Sequence, residues 1–202
     1  MEKLYFAYGS NMAIDRMFAR CPGAEEIEKV RLKDWQIQFR RVLTIIEQPG
    51  EEVIGALYSI TEEDELALDR YEGWPRYYDK HDLTVQSTEN PFKTYQAMVY
   101  ILDKEKISAP EDYYLGVCLE GCRDWGIPHD YMMRAVKQAK AAEHVRRRIA
   151  RDYYLERREE IRCQLVRPEP VFESKAEVDS YMEKRLKLDS MLLDSFNECF
   201  PD

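Results

Sequence analysis

The chain has 202 residues, with 30 Lys and Arg against 39 Asp and Glu, a formal net charge of −9. That length suits one ordinary domain, alone or with an extension, and can bury a real core; 14 Tyr and 7 Phe exclude a disordered tail. No run approaches the ~18 apolar residues of a membrane helix, and no basic segment followed by an apolar stretch opens the sequence. The acidic balance argues against a phosphate-tracking surface. The expected partners therefore include neither nucleic acid nor membrane, and the expected compartment is the cytoplasm.

In chain order, Leu4 to Tyr8 reads as a short buried strand that ends in the loop signal Gly9-Ser10-Asn11. Ser10 or Asn11 is placed to cap a short helix from Met12 to Ala19, closed by Cys21-Pro22-Gly23. Residues 24–60 alternate apolar and polar positions. Trp35, Ile37 and Phe39 form one such set and Val53 to Tyr58 another strand, with Pro49-Gly50 as the turn between them. Thr61 followed by Glu62, Glu63, Asp64 and Glu65 is a helix start: a hydroxyl cap with acids facing the positive dipole end. That helix runs to about Tyr71, with Gly73 as its stop.

Tyr77 to Val85 and Thr94 to Leu102 read as strands, separated by Thr88-Glu89-Asn90-Pro91. Ser108 and Glu111 have capping-box spacing for a helix to about Trp125. Gly126 follows it, and Pro128 begins another helix, which continues or breaks before Glu160. Ile161 to Val166 suits a short strand. Ser174 and Glu177 suit a further cap, and Val178, Tyr181, Leu188, Leu192, Phe196 and Cys199 fall on one helical stripe. Strands first and helices afterwards make the chain α+β. A domain of residues 1–140 is expected, followed by a charged helical extension, 141–202, that packs on the domain or on a partner chain.

Two segments can carry chemistry. In Tyr8-Gly9-Ser10-Asn11-Met12, a buried strand runs into a small loop and then a helix. Successive backbone N–H groups can converge there on an anion, aided by the helix N-terminus; a plain tight turn is the alternative. In Leu68-Asp69-Arg70-Tyr71-Glu72-Gly73, Glu72 stands at a helix C-terminus, where the dipole disfavours negative charge. Tyr71, Trp74, Tyr77 and Tyr78 can strip water from it. Both effects raise a carboxyl pKa and suit it to moving protons near neutral pH; a surface Glu before a glycine stop is the alternative. His81, His129 and His144 adjoin no nucleophile motif, and there is no GxSxG, HExxH, P-loop or GxGxxG. Cys118 and Cys122 are four apart, but no zinc ligand set is completed. The five cysteines read as buried free thiols.

Taken together, Tyr5-Phe6-Ala7-Tyr8-Gly9-Ser10-Asn11-Met12, the Leu68–Gly73 segment, and Pro110 to Tyr114 with Gly116 to Cys122 and Gly126-Ile127-Pro128 resemble the γ-glutamylcyclotransferase superfamily, including its AIG2-like members. The resemblance covers residues 3 to about 140. It implies a curved, barrel-like mixed sheet with flanking helices around a cavity for a γ-glutamyl group. It also implies cofactor-independent, metal-independent release of 5-oxoproline: the substrate's α-amine attacks its own side-chain amide carbonyl.

By the resemblance, Glu72 is the general acid/base. Tyr8, Gly9, Ser10, Asn11 and Met12 hold the anionic end of the substrate. Tyr100, Tyr114 and one of Tyr77 and Tyr78 surround it. The leaving amine is left open among amino acids, amines such as an isopeptide-linked lysine, and biosynthetic intermediates. A non-catalytic binding or regulatory module of the same fold is the alternative, and a homodimer through the C-terminal helices is a possible assembly.

Overall fold

In a computed structural model, the structure describes residues 3–102 and 105–165, together with 179, 180, 183 and 187. Its strands are β1 (Lys3–Ala7), β2 (Glu25–Arg40), β3 (Val42–Ile60), β4 (Asp79–Ser87) and β5 (Thr94–Ile101). Its helices are α1 (Ile14–Arg20), α2 (Glu62–Glu72), α3 (Asp112–Asp124) and α4 (His129–Leu165), with a 3₁₀ turn at Ser10–Met12.

The strands close into a barrel in the order β1-β3-β2-β4-β5. Most neighbours are antiparallel; β1 and β5 close the barrel in parallel, with Tyr5 opposite Met98. Period-2 alternation in β2 buries Val30 and Leu32, then Ile37 and Phe39. Phe6, Leu43, Ile45, Leu57, Val85 and Val99 complete the buried cluster. Cys118 and Cys122 on α3, and Met132, Val136 and Ala139 on α4, cover it at helical spacing.

The β2–β3 reversal is not at Pro49-Gly50, as the turn chemistry predicts, but at Arg41. Arg40 pairs with Val42, and Arg41 has φ 66°. Pro49-Gly50 lies inside β3, opposite a register shift between Lys33 and Trp35. There the Gly50 N–H donates to Asp34 Oδ1 at 2.9 Å, and Asp34 itself has φ 63°. The irregularity absorbs the extra residues, and pairing resumes from Trp35–Glu47 to the hairpin tip. The continued hairpin keeps Ile37, Phe39, Leu43 and Ile45 buried, which a reversal at Pro49-Gly50 would not.

α2 follows its sequence signals. Thr61 Oγ1 accepts from the Asp64 N–H at 3.2 Å, and Asp64 Oδ2 accepts from the Thr61 N–H at 3.0 Å. Gly73, at φ 68°, closes the helix in the left-handed conformation that glycine adopts freely. Glu72 is thereby the last residue of the helix.

Three local expectations are corrected. Neither Ser10 nor Asn11 caps α1, which starts after Ala13. Asp124 Oδ2 of α3 instead accepts from the Ile14 N–H at 3.0 Å. Ser108 does not cap α3: its backbone bonds the hairpin tip, N–H to Phe39 O at 3.1 Å and O from the Arg41 N–H at 3.3 Å. The helix begins after Glu111 with no side-chain cap. Finally, α4 continues through Leu165, so Ile161–Leu165 is helical rather than a strand; unbroken i to i−4 bonding carries the charged stretch without a breaker.

The chain divides into two units, Met1–Ala142 and Glu143–Asp202. The stripe expected from Val178 to Cys199, and with it the expected pairing of C-terminal helices, lies outside the described residues. Among the described residues, Cys21, Cys118 and Cys122 are buried free thiols. No helix among them is long and apolar enough to cross a membrane.

Candidate active site

At one mouth of the barrel, β1 gives way to the Tyr8–Asn11 segment. α2 ends on Glu72, β5 brings Tyr100, α3 brings Tyr114, and the β2–β3 hairpin brings Val42 and Leu43. These elements enclose a cavity of about 220 Å³ lined also by Tyr5, Tyr71 and Tyr78. A second chamber of about 460 Å³ shares Val42, Tyr71, Glu72, Tyr78 and Tyr114 with the first. It adds Arg40, Arg41, Tyr77, Leu102, Glu105 and Glu111. The inner chamber is a ring of phenols around one carboxylate; the outer one carries charge of both signs.

The loop that reaches Glu72 is held from behind. α3 lies so close to it that a Cβ on Gly121 would sit 2.6 Å from Met12 Cβ. Trp125 Nε1 donates to Met12 O at 2.9 Å. Asn11, 3% exposed, donates through Nδ2 to Tyr5 Oη at 2.8 Å and to Glu72 Oε1 at 3.1 Å. Arg20, the last residue of α1, donates through Nη1 to Asn11 Oδ1. Its guanidinium lies 3.4 Å from the centre of the Tyr71 ring.

The surrounding hydroxyls are also ordered. Tyr8 Oη donates to Tyr100 O at 2.6 Å, and Tyr100 Oη donates to Asp69 Oδ1 at 2.6 Å. Lys80 Nζ donates to Asp69 Oδ2 at 2.8 Å and to Glu65 Oε1 at 2.6 Å. Tyr114 Oη accepts from the Leu43 N–H at 3.1 Å, and Tyr78 Oη donates to Leu43 O at 3.4 Å. The cavity wall is thus an interlocked hydrogen-bond network, which fixes rotamers.

Burial pushes the Glu72 carboxyl up to about 7, against the opposing pull of the Arg20 charge and the Asn11 hydrogen bond. Burial likewise raises Tyr5, Tyr8 and Tyr114 well above the ordinary phenol value. It raises Tyr78 and Tyr100 too. Near neutral pH these phenols stay neutral, while the Glu72 carboxyl is raised into that range. Among the described residues, no cluster of His, Cys, Asp and Glu is placed to hold a metal ion.

Of the residues singled out in the sequence, Tyr8, Gly9, Ser10, Asn11, Glu72, Tyr78, Tyr100 and Tyr114 line the inner cavity. Met12 does not. Its side chain is fully buried in the core, and its carbonyl is engaged by Trp125. Tyr77 is 56% exposed and lines only the outer chamber, so Tyr78 is the one of the pair at the inner wall.

Tyr71, expected beside Glu72, lines the cavity as well, whereas Tyr5, Val42, Leu43, Arg20 and Asp69 complete the site and escape the sequence reading. A signal existed for two of them. Tyr5 is a phenol between the apolar residues Leu4 and Phe6, where a buried hydroxyl needs a partner. Asp69 precedes Glu72 by three on a helix, which places both on one face.

A family model described as Gamma-glutamyl cyclotransferase, AIG2-like, matches residues 5–116, more than half of the chain. A protein from Bos taurus named Gamma-glutamylcyclotransferase is 28% identical over 144 residues, covering 65% of this chain and 76% of that relative. Its namesake from Mus musculus is 28% identical over 141 residues, covering 63% and 74%. A solved structure named Gamma-glutamyl cyclotransferase superposes with a TM-score of 0.60 at 25% identity, covering 70% of this chain and 88% of that one. The fold is also that of YkqA from Bacillus subtilis, with a TM-score of 0.57 at 18% identity, covering 69% of this chain and 54% of that one. With its barrel, its Tyr8–Asn11 segment and its matched residues, the chain belongs to the Gamma-glutamyl cyclotransferase, AIG2-like family.

Proposed function

We propose that the protein is a γ-glutamyl cyclotransferase that releases 5-oxoproline from a γ-glutamyl amide, with Glu72 as general acid/base. The observation that carries this reading is the place of Glu72: its carboxyl, pushed up by burial to about 7, is held by Asn11 at the wall of a small tyrosine-lined cavity. A base poised near the working pH can both accept and return a proton.

In this reading the γ-glutamyl group occupies the inner chamber. Glu72 takes a proton from the α-ammonium, and the freed amine attacks the γ-carbonyl carbon. A five-membered ring closes and charge develops on the carbonyl oxygen. Glu72 returns its proton to the leaving nitrogen as the C–N bond breaks, and, free again, takes the second proton from the ring nitrogen and passes it to the departing amine, so that a neutral lactam and the amine result. Because nucleophile and electrophile belong to one molecule, enforcing the folded conformer supplies a large part of the rate; the interlocked tyrosines suit that task. The backbone amides of the Tyr8–Asn11 segment are the proposed hold on the substrate's carboxylate or developing oxyanion. The leaving amine points toward the outer chamber, whose volume of about 460 Å³ accommodates a group larger than the glutamyl end.

The test is a panel of γ-glutamyl amino acids, γ-glutamyl-lysine isopeptide and γ-glutamyl amines, with mass detection of 5-oxoproline. Release from at least one member supports the reading. Tight binding of a member with no product would identify a binding module instead.

A further inference from the structure

We propose that Arg20 is a positioning residue for this site: it fixes which end of the Asn11 amide faces Glu72 and sets a positive charge beside that carboxylate. For its catalytic consequence the inference rests on the cyclotransferase reading; the positioning itself does not.

An amide has one accepting end and one donating end of nearly the same shape. Asn11 is buried, so each end needs a partner. With Oδ1 bonded to the Arg20 guanidinium, which can only donate, Nδ2 must face Tyr5 Oη and Glu72 Oε1. The reverse flip would turn Oδ1 toward the carboxylate and two NH hydrogens toward a guanidinium, losing the bonds to both charged partners. Arg20 is itself clamped. Its guanidinium stacks on the ring of Tyr71, the residue preceding Glu72, so the base, its donor and the cation form one unit across α1, the loop and α2. A planar fork that stacks and hydrogen-bonds at once is arginine chemistry, which lysine does not reproduce.

The charge has a second effect. Tyr5 on β1, Tyr8 just beyond it, Tyr78 ahead of β4 and Tyr100 on β5 all interact with Glu72, and near neutral pH these four are uncharged. Burial drives the Glu72 carboxyl up, and the Arg20 charge is the larger of the two influences holding it near 7. Without that charge the Asn11 hydrogen bond alone opposes burial, and the Glu72 midpoint moves further up.

The experiment compares wild type, Arg20→Gln and Arg20→Lys by two readouts. The first is a ¹³C NMR titration of the Glu72 carboxyl in the free protein, assigned with Glu72→Gln; it needs no turnover. The second is the pH profile of kcat/KM for 5-oxoproline release. In Arg20→Gln, which removes the charge and, with its shorter side chain, the reach of Nη1 to Asn11, the Glu72 midpoint should rise by about one pH unit, with the acid limb of the rate profile following it. Arg20→Lys keeps the charge without the fork. Its midpoint should move less, while kcat falls across the whole profile. An unmoved Glu72 midpoint in Arg20→Gln, with Arg20→Lys also matching wild type in kcat, overturns the proposal. If the midpoint moves as expected but wild type releases no 5-oxoproline, the positioning role stands and the cyclotransferase reading fails.

Discussion

Glu72→Gln should make the protein more stable at alkaline pH. A carboxyl that titrates at 4.5 in an unfolded chain titrates here at about 7, chiefly because burial removes water from its charged form. Between those values the folded protein binds more protons at this site than the unfolded chain does. Folding stability therefore falls as pH rises from about 4.5 to about 7, then levels off. At about 1.4 kcal/mol per pH unit, the carboxylate costs the fold up to about 3 kcal/mol above pH 7. The substituted amide cannot ionise, and its side-chain oxygen can still accept from Asn11 Nδ2. The variant should match wild type near pH 4.5 and exceed it by about 1–3 kcal/mol at pH 8. Urea unfolding at the two pH values measures the difference; other titrating groups cancel between the two proteins. An equal difference at both pH values, or a variant less stable than wild type at pH 8, would refute the claim that Glu72 is held ionised against its environment.

Other perturbations have distinct expected outcomes. A Cβ on Gly9 would stand 3.4 Å from Tyr114 Oη and 3.6 Å from Leu43 Cβ, so alanine fits there while the branches of Gly9→Val enter the cavity. That variant should fold with a nearly unchanged Tm yet lose on the order of 10²-fold in kcat/KM through a displaced substrate. Asp69→Asn weakens the bonds from Tyr100 and Lys80 and should cost about 1.5–3 kcal/mol in urea unfolding; an unchanged midpoint would show that the Tyr100 anchor is dispensable. Elsewhere on the barrel, burial alone would raise Glu28, but hydrogen bonds from Lys93, Ser87 and Tyr95 and the Lys93 charge hold it down to about 2. Lys93→Met should bring the Glu28 midpoint back up toward the ordinary carboxylate range in an NMR titration.

Where an element's cause is local, the sequence is a good guide. α2 is readable end to end because Thr61 and Asp64 cap it within one turn and Gly73 stops it. The Tyr8–Asn11 loop and Glu72 differ: their immediate neighbours leave a plain turn and a surface Glu open, and only the three segments taken together single them out. The failures share a different cause. Arg41 turns the long hairpin at positive φ without glycine, so the Pro49-Gly50 pair looks like the better turn although it sits at an irregularity inside β3. Ser108 has the right spacing for a cap, but its backbone is taken by the hairpin tip far away in sequence. The α1 cap comes from Asp124, 110 residues on.

The site divides the same way. Tyr100 and Tyr114 can be matched by position in a family pattern, whereas Arg20 acquires its place only when α1 directs it onto Asn11 and the Tyr71 ring. Tyr77 and Tyr78 are equivalent in sequence and separate only because one of them turns to the inner wall. Met12 belongs to the loop by sequence and to the core by packing, since α3 closes over it.

The most direct measurement is the rate of 5-oxoproline formation from a turned-over γ-glutamyl substrate, followed by mass detection from pH 5 to 9 in wild type and Glu72→Gln. Glu72 as the proton carrier predicts an acid limb in the wild-type kcat/KM near pH 7 and a loss of at least 10²-fold in the variant at the plateau, roughly the size expected when a general base is removed. A wild-type profile that is flat through pH 7, or a Glu72→Gln rate within a few-fold of wild type, would contradict it.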